Sequence, residues 1–369
     1  MQAVRDKVLY SSGYWQGRSA SLPTGFWELY GATMSKVTSL LTLPLPLISF
    51  LAIPLYGGSS TTVSLAFFYL TWSSLVWSKG PLTIELYGTT IIRFLCYLAP
   101  AMFSVAFDSM LPNFSRKIKA AGKGHLPRRL GRDRILHIVA VSTANVLLGV
   151  LVQAILEVLF IKVLHLRSLL KVNTTVPLPW TIAIDILKGF VLRGVLHYAV
   201  HRYVLHEWPS ILSKLHLQWQ HSTDITFSML AAYDHPATYL LGVFLPTYLP
   251  AVLFRWHVLT WHLFLVIVSL EEFFVYSGYT SLPSAIILGG MARRNEAHFA
   301  SVGEGQGIGN YGRLGLLDLI FGTTCPDEDD VMDDIHDEAE KHDVPDRVAD
   351  AVGSGISQLD KKQKSRRRK

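Results

Sequence analysis

The chain has 369 residues, half of them hydrophobic and only 17% charged, with a positive mean hydropathy. Soluble domains average about 25% charged residues, so an ordinary water-soluble fold is excluded and a polytopic helical membrane protein is expected. The net charge of +6 comes with no nucleic-acid recognition module, which argues against a nucleic-acid partner. Two cysteines, Cys96 and Cys325, are too few for a disulfide framework or a cysteine metal site.

Residues 1–36 form an N-terminal segment without the compact apolar stretch of a cleavable signal peptide. Runs approaching the roughly 20 apolar residues that cross a bilayer then occur at 37–57, 60–77, 89–107, 135–163, 178–200, 237–255 and 258–280. The stretch "TLPLPLISFLAIPLYGGSS" holds three prolines and two glycines, and reads either as a kinked helical hairpin or as partly re-entrant. Between Arg116 and Arg134 lie Arg116, Lys117, Lys119, Lys123, Arg128, Arg129, Arg132 and Arg134 against Asp133 alone. Such a loop belongs on the cytosolic side and sets the topology. The expected divisions are therefore the N-terminal segment, a transmembrane region with its basic loop over 37–134, a membrane domain over 135–324, and a tail over 325–369. That tail is acidic, then basic, lacks an apolar period, and is expected to be disordered. Its closing "KKQKSRRRK" is a retrieval or membrane-surface signal, or simply a charged end.

With 116–134 cytosolic, alternation carries the 135–163 span to the lumen. The sequon Asn173-Thr174-Thr175 then lies where it is usable. The next span returns, and 237–280 goes out and back as a hairpin. The N-terminus fits less well: alternation makes 1–36 lumenal despite Arg5, Lys7, Arg18 and Lys36, so one of the first two runs does not span.

The returning span ends in "HYAVHRYVLHEWPSILSKLHLQWQHS", residues 197–222, with His197, His201, His206, His216 and His221. Neutral imidazole is a ligand for iron and zinc. A lone histidine beside aromatics reads as interfacial; five at one membrane face read as a metal pocket. His197 and His201 share a helical face. His201 and His206, five apart, lie about 140° apart on an ideal helix, so both face one metal only if the helix ends or bulges there. The same holds for His216 and His221, and Pro209 supplies a stop.

"HRYVLH", "HLQWQHS", "TFSMLAAYDHP", "EEFFVYSGY" and "NYGRLGLLDLIFGTT", in that order over roughly 185–324, resemble the fatty acid hydroxylase / sterol desaturase superfamily. The resemblance implies an all-α fold: polytopic membrane helices with a cytosolic histidine-rich helical cap that holds a di-iron centre, in the endoplasmic reticulum. It implies dioxygen chemistry on a membrane lipid or sterol-like substrate, with electrons from a cytochrome-type donor suited by the basic cap. His201 and His206 match the first histidine box, His216 and His221 the outer members of the second, and His298 one member of the third. Gln220, Tyr276, Asn295 and Phe299 stand where the family pattern expects histidine, so one or two metals are expected.

His197, His235 and Glu272 are further ligand candidates, with Asp185, Asp234, Glu271 and Glu296 as other available carboxylates. His235, before Pro236, reads equally as a helix cap. Glu271 and Glu272 are costly inside a span; they either function there or reach water. His257 and His262 fall on the opposite side and read as interfacial, with Trp256 and Trp261. "GEGQGIGNYG" lacks the phosphate-loop lysine and reads as a bent loop over the cap. The substitutions also admit a second class, a family-derived protein without the redox centre that binds lipid, scaffolds a partner or runs a non-oxidative step.

Overall fold

The structure is a computed structural model that describes residues 59–119, 126–223, 225–284, 287–304 and 308–325. The 37–57 run, the segment 1–36, Lys123 and the tail from 326 lie outside the described residues. The described chain is helical and without strands, joined only by isolated bridges such as Lys119 with Tyr279 and Lys171 with His257.

Helix α1 covers Ser59–Ser78, α2 Pro81–Met110, α3 Pro112–Ile118 and α4 Arg132–Val163. Helix α5, Pro179–Ala199, runs on into a π-turn over Val200–Glu207. Then follow α6 (Ile211–Trp219), α7 (Pro236–Leu253), α8 (Val258–Tyr276), α9 (Ile287–Glu304) and the short α10 (Leu316–Phe321). Prolines open α2, α3, α5 and α7 within the first turn, where the missing N–H costs nothing.

Four of these helices, α2, α4, α7 and α8, are long and apolar enough to cross a membrane. The chain is an integral membrane protein. Of the expected spans, 178–200 forms α5 but carries Asp185, Lys188 and Arg193, and 60–77 forms α1; neither joins the four. On α5 the charges are sorted by face: Leu187, Val191 and Val195, spaced by four, are exposed, whereas Arg193 is buried. Leu147, Leu151 and Ile155 make the same outward stripe on α4. Outside a bilayer such stripes would be costly; inside one they meet lipid tails.

Helix α8 is the centre of the bundle, with 72% of its apolar window buried against 22–44% for the other three. At its N-terminal end Trp256, Trp261 and Phe264 pack with Leu170 and Tyr248. At its C-terminal end Val275 and Tyr276 join Tyr97, Ile138 and the buried 225–233 segment. Nineteen residues at 1.5 Å each separate these ends by about 28 Å, close to the hydrocarbon thickness of a bilayer.

Two expectations need correction. Lys119 is not a solvated topology charge: its ammonium is buried on Asp108 at 2.8 Å, donates to the Ser277 carbonyl and lies over the Tyr279 ring. His257 and His262 do lie at the end of α8 remote from the other histidines, but they are buried, as are Trp256 and Trp261. His257 caps α8 through Nδ1, which accepts from Leu259 N–H. His262 fills the space over Gly88, where any Cβ would stand 2.1 Å from its ring.

Candidate metal centre

The histidine pocket is built where α5, α6 and α9 end or bend around the C-terminal end of α8. The π-turn over Val200–Glu207 is the local device that makes it. Its i→i+5 hydrogen bonds bring residues five apart into line, so His201 and His206 meet with their Nε2 atoms 3.2 Å apart. On an uninterrupted α-helix they would diverge. Pro209 follows the turn, and Ser210 caps α6 by accepting from Ser213 N–H. Helix α6 ends at Trp219, and this ending lets His221 turn back to within 4.9 Å of His216, centroid to centroid. From α9 comes His298, with rings 4.7 Å from His201 and 5.0 Å from both His206 and His221.

Among the described residues, His201, His206, His221 and His298 each offer a ring nitrogen within 4.8 Å of all the others. His216 lies against them, 5.3 Å from His201 and 5.1 Å from His206. His197 stands one step further out, 5.3 Å from His201 alone among them. The five principal sequence candidates are thus brought together, with His197 beside them. His235 and Glu272 are not. His235 caps α7 by accepting from Ala237 N–H and meets Trp219 edge to face. Glu272 is buried in an ion pair with Arg93 at 2.7 Å.

The hydrogen bonds around the pocket fix how each ring presents itself. His197 Nδ1 donates to the Gly242 carbonyl, His201 Nδ1 to Tyr311 and His298 Nδ1 to Gly309, at 2.9, 2.9 and 2.6 Å. A carbonyl only accepts, so in each ring Nδ1 carries the proton and Nε2 keeps its lone pair. His216 Nδ1 bonds the Asp234 carboxylate at 2.8 Å. The Nε2 atoms of His216 and His298, and both ring nitrogens of His221, are buried without a protein partner. Buried polar atoms are ordinarily satisfied. Several orphaned lone pairs converging on one point are what a metal ion fits, and Nδ1 partners of this kind are the usual outer layer of metal-bound histidine.

Burial pushes the imidazole basicity down, and the neighbouring imidazoles add to the effect. His206 falls to about 2 and His298 to about 4, and His201 and His221 lie well below the usual histidine range. Near neutral pH these rings are uncharged donors, as ligation requires.

Two aspartates hold the frame. Asp234 of "YDHP" accepts His216 Nδ1 through one oxygen and His235 N–H through the other. Asp318, fully buried, accepts the N–H of Tyr311 and Gly312 and the Thr323 hydroxyl. It thereby clamps the 308–315 loop, whose Gly309 and Tyr311 carbonyls orient His298 and His201. Gly309 is required by close approach: a Cβ there would be 2.5 Å from the Thr323 carbonyl oxygen.

Gln220, Tyr276, Asn295 and Phe299 line the same cavity as the histidines. Phe299 lies 4.9 Å from His221 and shields it, and Gln220 donates to the Leu230 carbonyl. Glu271 and Glu272 do not reach water. They are bound by Arg93, Arg193 and Arg313, which arrive from α2, α5 and the 308–315 loop. The sequence reading passed over these arginines, although Arg93 and Arg193 fall in predicted spans, where a charge is itself a signal.

A helical membrane bundle that closes one end over a cluster of inward-facing neutral imidazoles defines a histidine-rich membrane protein with a site able to take a metal ion. The family model for fatty acid hydroxylase matches residues 186–323, and the match supports membership of the fatty acid hydroxylase / sterol desaturase superfamily for that stretch. No solved structure matches the chain.

Proposed function

We propose that the protein is a membrane-bound non-haem iron oxidoreductase that uses dioxygen to hydroxylate or desaturate a membrane lipid, sterol or related apolar metabolite. The observation that carries this reading is the convergence of His201, His206, His221 and His298 within 4.8 Å, with the buried, unpartnered Nε2 atoms of His216 and His298. His201, His206, His216, His221 and His298 would hold the iron, with His197 as a reserve donor. Iron held by neutral imidazoles supplies dioxygen activation and one-electron chemistry. The protein's own residues do the rest. The Gly242, Gly309 and Tyr311 carbonyls and Asp234 hold the tautomers. Val275, Tyr276, Met291 and Phe299 wall the cavity and exclude water. Oxidising a C–H bond with dioxygen consumes electrons and protons, so a cytochrome-type donor is the expected partner, docking at the basic surface around Arg128, Arg129 and Arg132. By the charge rule the histidine face is cytosolic, and the family's setting is the endoplasmic reticulum.

The non-histidine residues Gln220, Tyr276, Asn295 and Phe299 in the cavity wall favour a second reading, a metal-depleted lipid-binding scaffold or non-oxidative enzyme. Metal content separates the two. Full-length protein purified in mild detergent is expected to carry one or two irons per chain by elemental mass spectrometry. His201→Ala and His298→Ala are expected to lose both iron and lipid oxidation. A wild-type protein free of iron and zinc would leave the scaffold reading, and a His201→Ala variant that keeps metal and activity would refute the ligand assignment.

A further inference from the structure

The ligand atoms of the pocket can be counted ion by ion. His201, His206, His221 and His298 bring ring nitrogens that all lie within 4.8 Å of one another. An imidazole nitrogen sits about 2.1 Å from its metal, so nitrogens on one ion are about 3.4 Å apart in a tetrahedron and at most about 4.2 Å. Paired ions stand about 3.5–4 Å apart, which puts the nitrogens at their outer ends roughly 6 Å from each other. The four nitrogens are thus a small contraction away from the shell of one ion and too crowded for the two ends of a pair. His216 joins the same group. Its ring is 4.9 Å from His221 and 5.1 Å from His206, as close as His206 is to His221, and its Nε2 is buried without a partner. Five imidazoles around one point suit a single five-coordinate ion.

Little is left for a second ion. Among the described residues the cavity wall adds one more imidazole, His197, whose ring meets His201 alone of the five. It adds one carboxylate, Asp234, and both of its oxygens are taken, by His216 Nδ1 and His235 N–H. Even a single non-haem iron ordinarily takes two imidazoles and a carboxylate. The positions where the family pattern expects further histidines are filled otherwise. Phe299, 5% exposed, sets its ring 4.9 Å from His221 and 6.2 Å from Tyr276, so hydrocarbon stands against the cluster on the α9 side. Gln220 spends its amide N–H on the Leu230 carbonyl. Asn295 Nδ2 is buried without a partner, and an amide nitrogen is a donor rather than a metal ligand.

We infer that this pocket holds one metal ion where the matched family implies two, and that Gln220, Asn295 and Phe299 close the second position. The inference rests on the iron-binding reading above and fixes its stoichiometry and the residues that set it.

Metal counting tests this without turnover. Full-length protein in mild detergent is reconstituted with ferrous iron, desalted and oxidised. Wild type is expected to carry one iron per chain by elemental mass spectrometry, with the paramagnetic resonance signal of an isolated high-spin ferric ion. An antiferromagnetically coupled ferric pair gives no such signal. The triple variant Gln220→His, Asn295→His, Phe299→His supplies three further imidazoles and is expected to raise the count from one towards two and to quench the signal. Phe299→Leu, which removes the ring without adding a ligand, is expected to stay at one. Two irons per wild-type chain without the isolated signal would overturn the inference and leave the oxidoreductase reading standing. Wild type free of iron and zinc would overturn both. A folded triple variant that stays at one iron would overturn the assignment of these three residues, and if that variant does not fold the wild-type count and signal decide alone.

Discussion

His298 shows how one side chain can be worth more as a donor than as a base. Its Nδ1 is tied to the Gly309 carbonyl, its Nε2 is buried without a partner, and burial lowers its pKa to about 4. The unfolded value is about 6.5. Between these values the unfolded chain binds a proton that the folded chain refuses, so this residue's contribution to stability is intact above about pH 6.5. It is lost as the pH falls towards 4. The loss amounts to about 3 kcal/mol for His298 alone, and His206 adds in the same direction, with its pKa lowered to about 2. Chelator-stripped protein in detergent should therefore melt progressively lower from pH 7 to pH 5. A flat melting profile over that range would mean that the histidines are hydrated in the metal-free state. Asp234, beside His216, and the Gly242 and Tyr311 carbonyls, beside His197 and His201, do the complementary work of orienting those imidazoles.

The π-turn over Val200–Glu207 is the element on which the site depends. An α-helix would send His206 away from His201; one extra residue in the turn cancels that rotation. Deleting Val204 leaves the two histidines four apart on an α-helix, about 40° apart on one face, so that variant is expected to keep its iron. Inserting one alanine after Val204 puts them six apart and on opposite sides, and is expected to leave helical circular dichroism unchanged while losing more than half of the iron. Iron retained in full by the insertion variant would show that this spacing is incidental to ligation. Helix α6 solves the same spacing problem differently, by stopping at Trp219 so that His221 folds back on His216. Helix α9 needs no such device, because Asn295, His298 and Phe299 at i, i+3 and i+4 already share one face.

Across the whole molecule, the ion-pair network ties α2, α5 and α8 to the loop that orients the histidines. Glu272 is 1% exposed and engages Arg93 and Arg193. Removing one partner of a buried pair costs about 3–5 kcal/mol, because it strands the opposite charge. Glu272→Ala should lower the thermal midpoint by several degrees and loosen the metal site. An unchanged midpoint would mean that water already reaches the arginines. The same architecture sets two features of the chain apart. The sequon at Asn173 touches His257 at the start of α8, and the metal-type cluster surrounds its end. One apolar helix of about 28 Å stands between them.

Membrane residence, the helical class and the clustering of five histidines were legible in the linear chain. Apolar run length and histidine density are local properties that can be read residue by residue. The need for a bulge or helix end between His201 and His206 was legible too, because helical pitch makes five-residue spacing a geometric contradiction. Which carboxylates do what was not legible. Asp234 and Glu272 are both acids near the cluster in sequence terms, yet one orients His216 and the other neutralises arginines. His235 and His257, each placed just before a helix, became caps. These outcomes, with the burial of Lys119 and the pairing of Arg313 with Glu271, depend on which helices meet. Only tertiary packing decides which partner a buried charge or imidazole finds once water is gone.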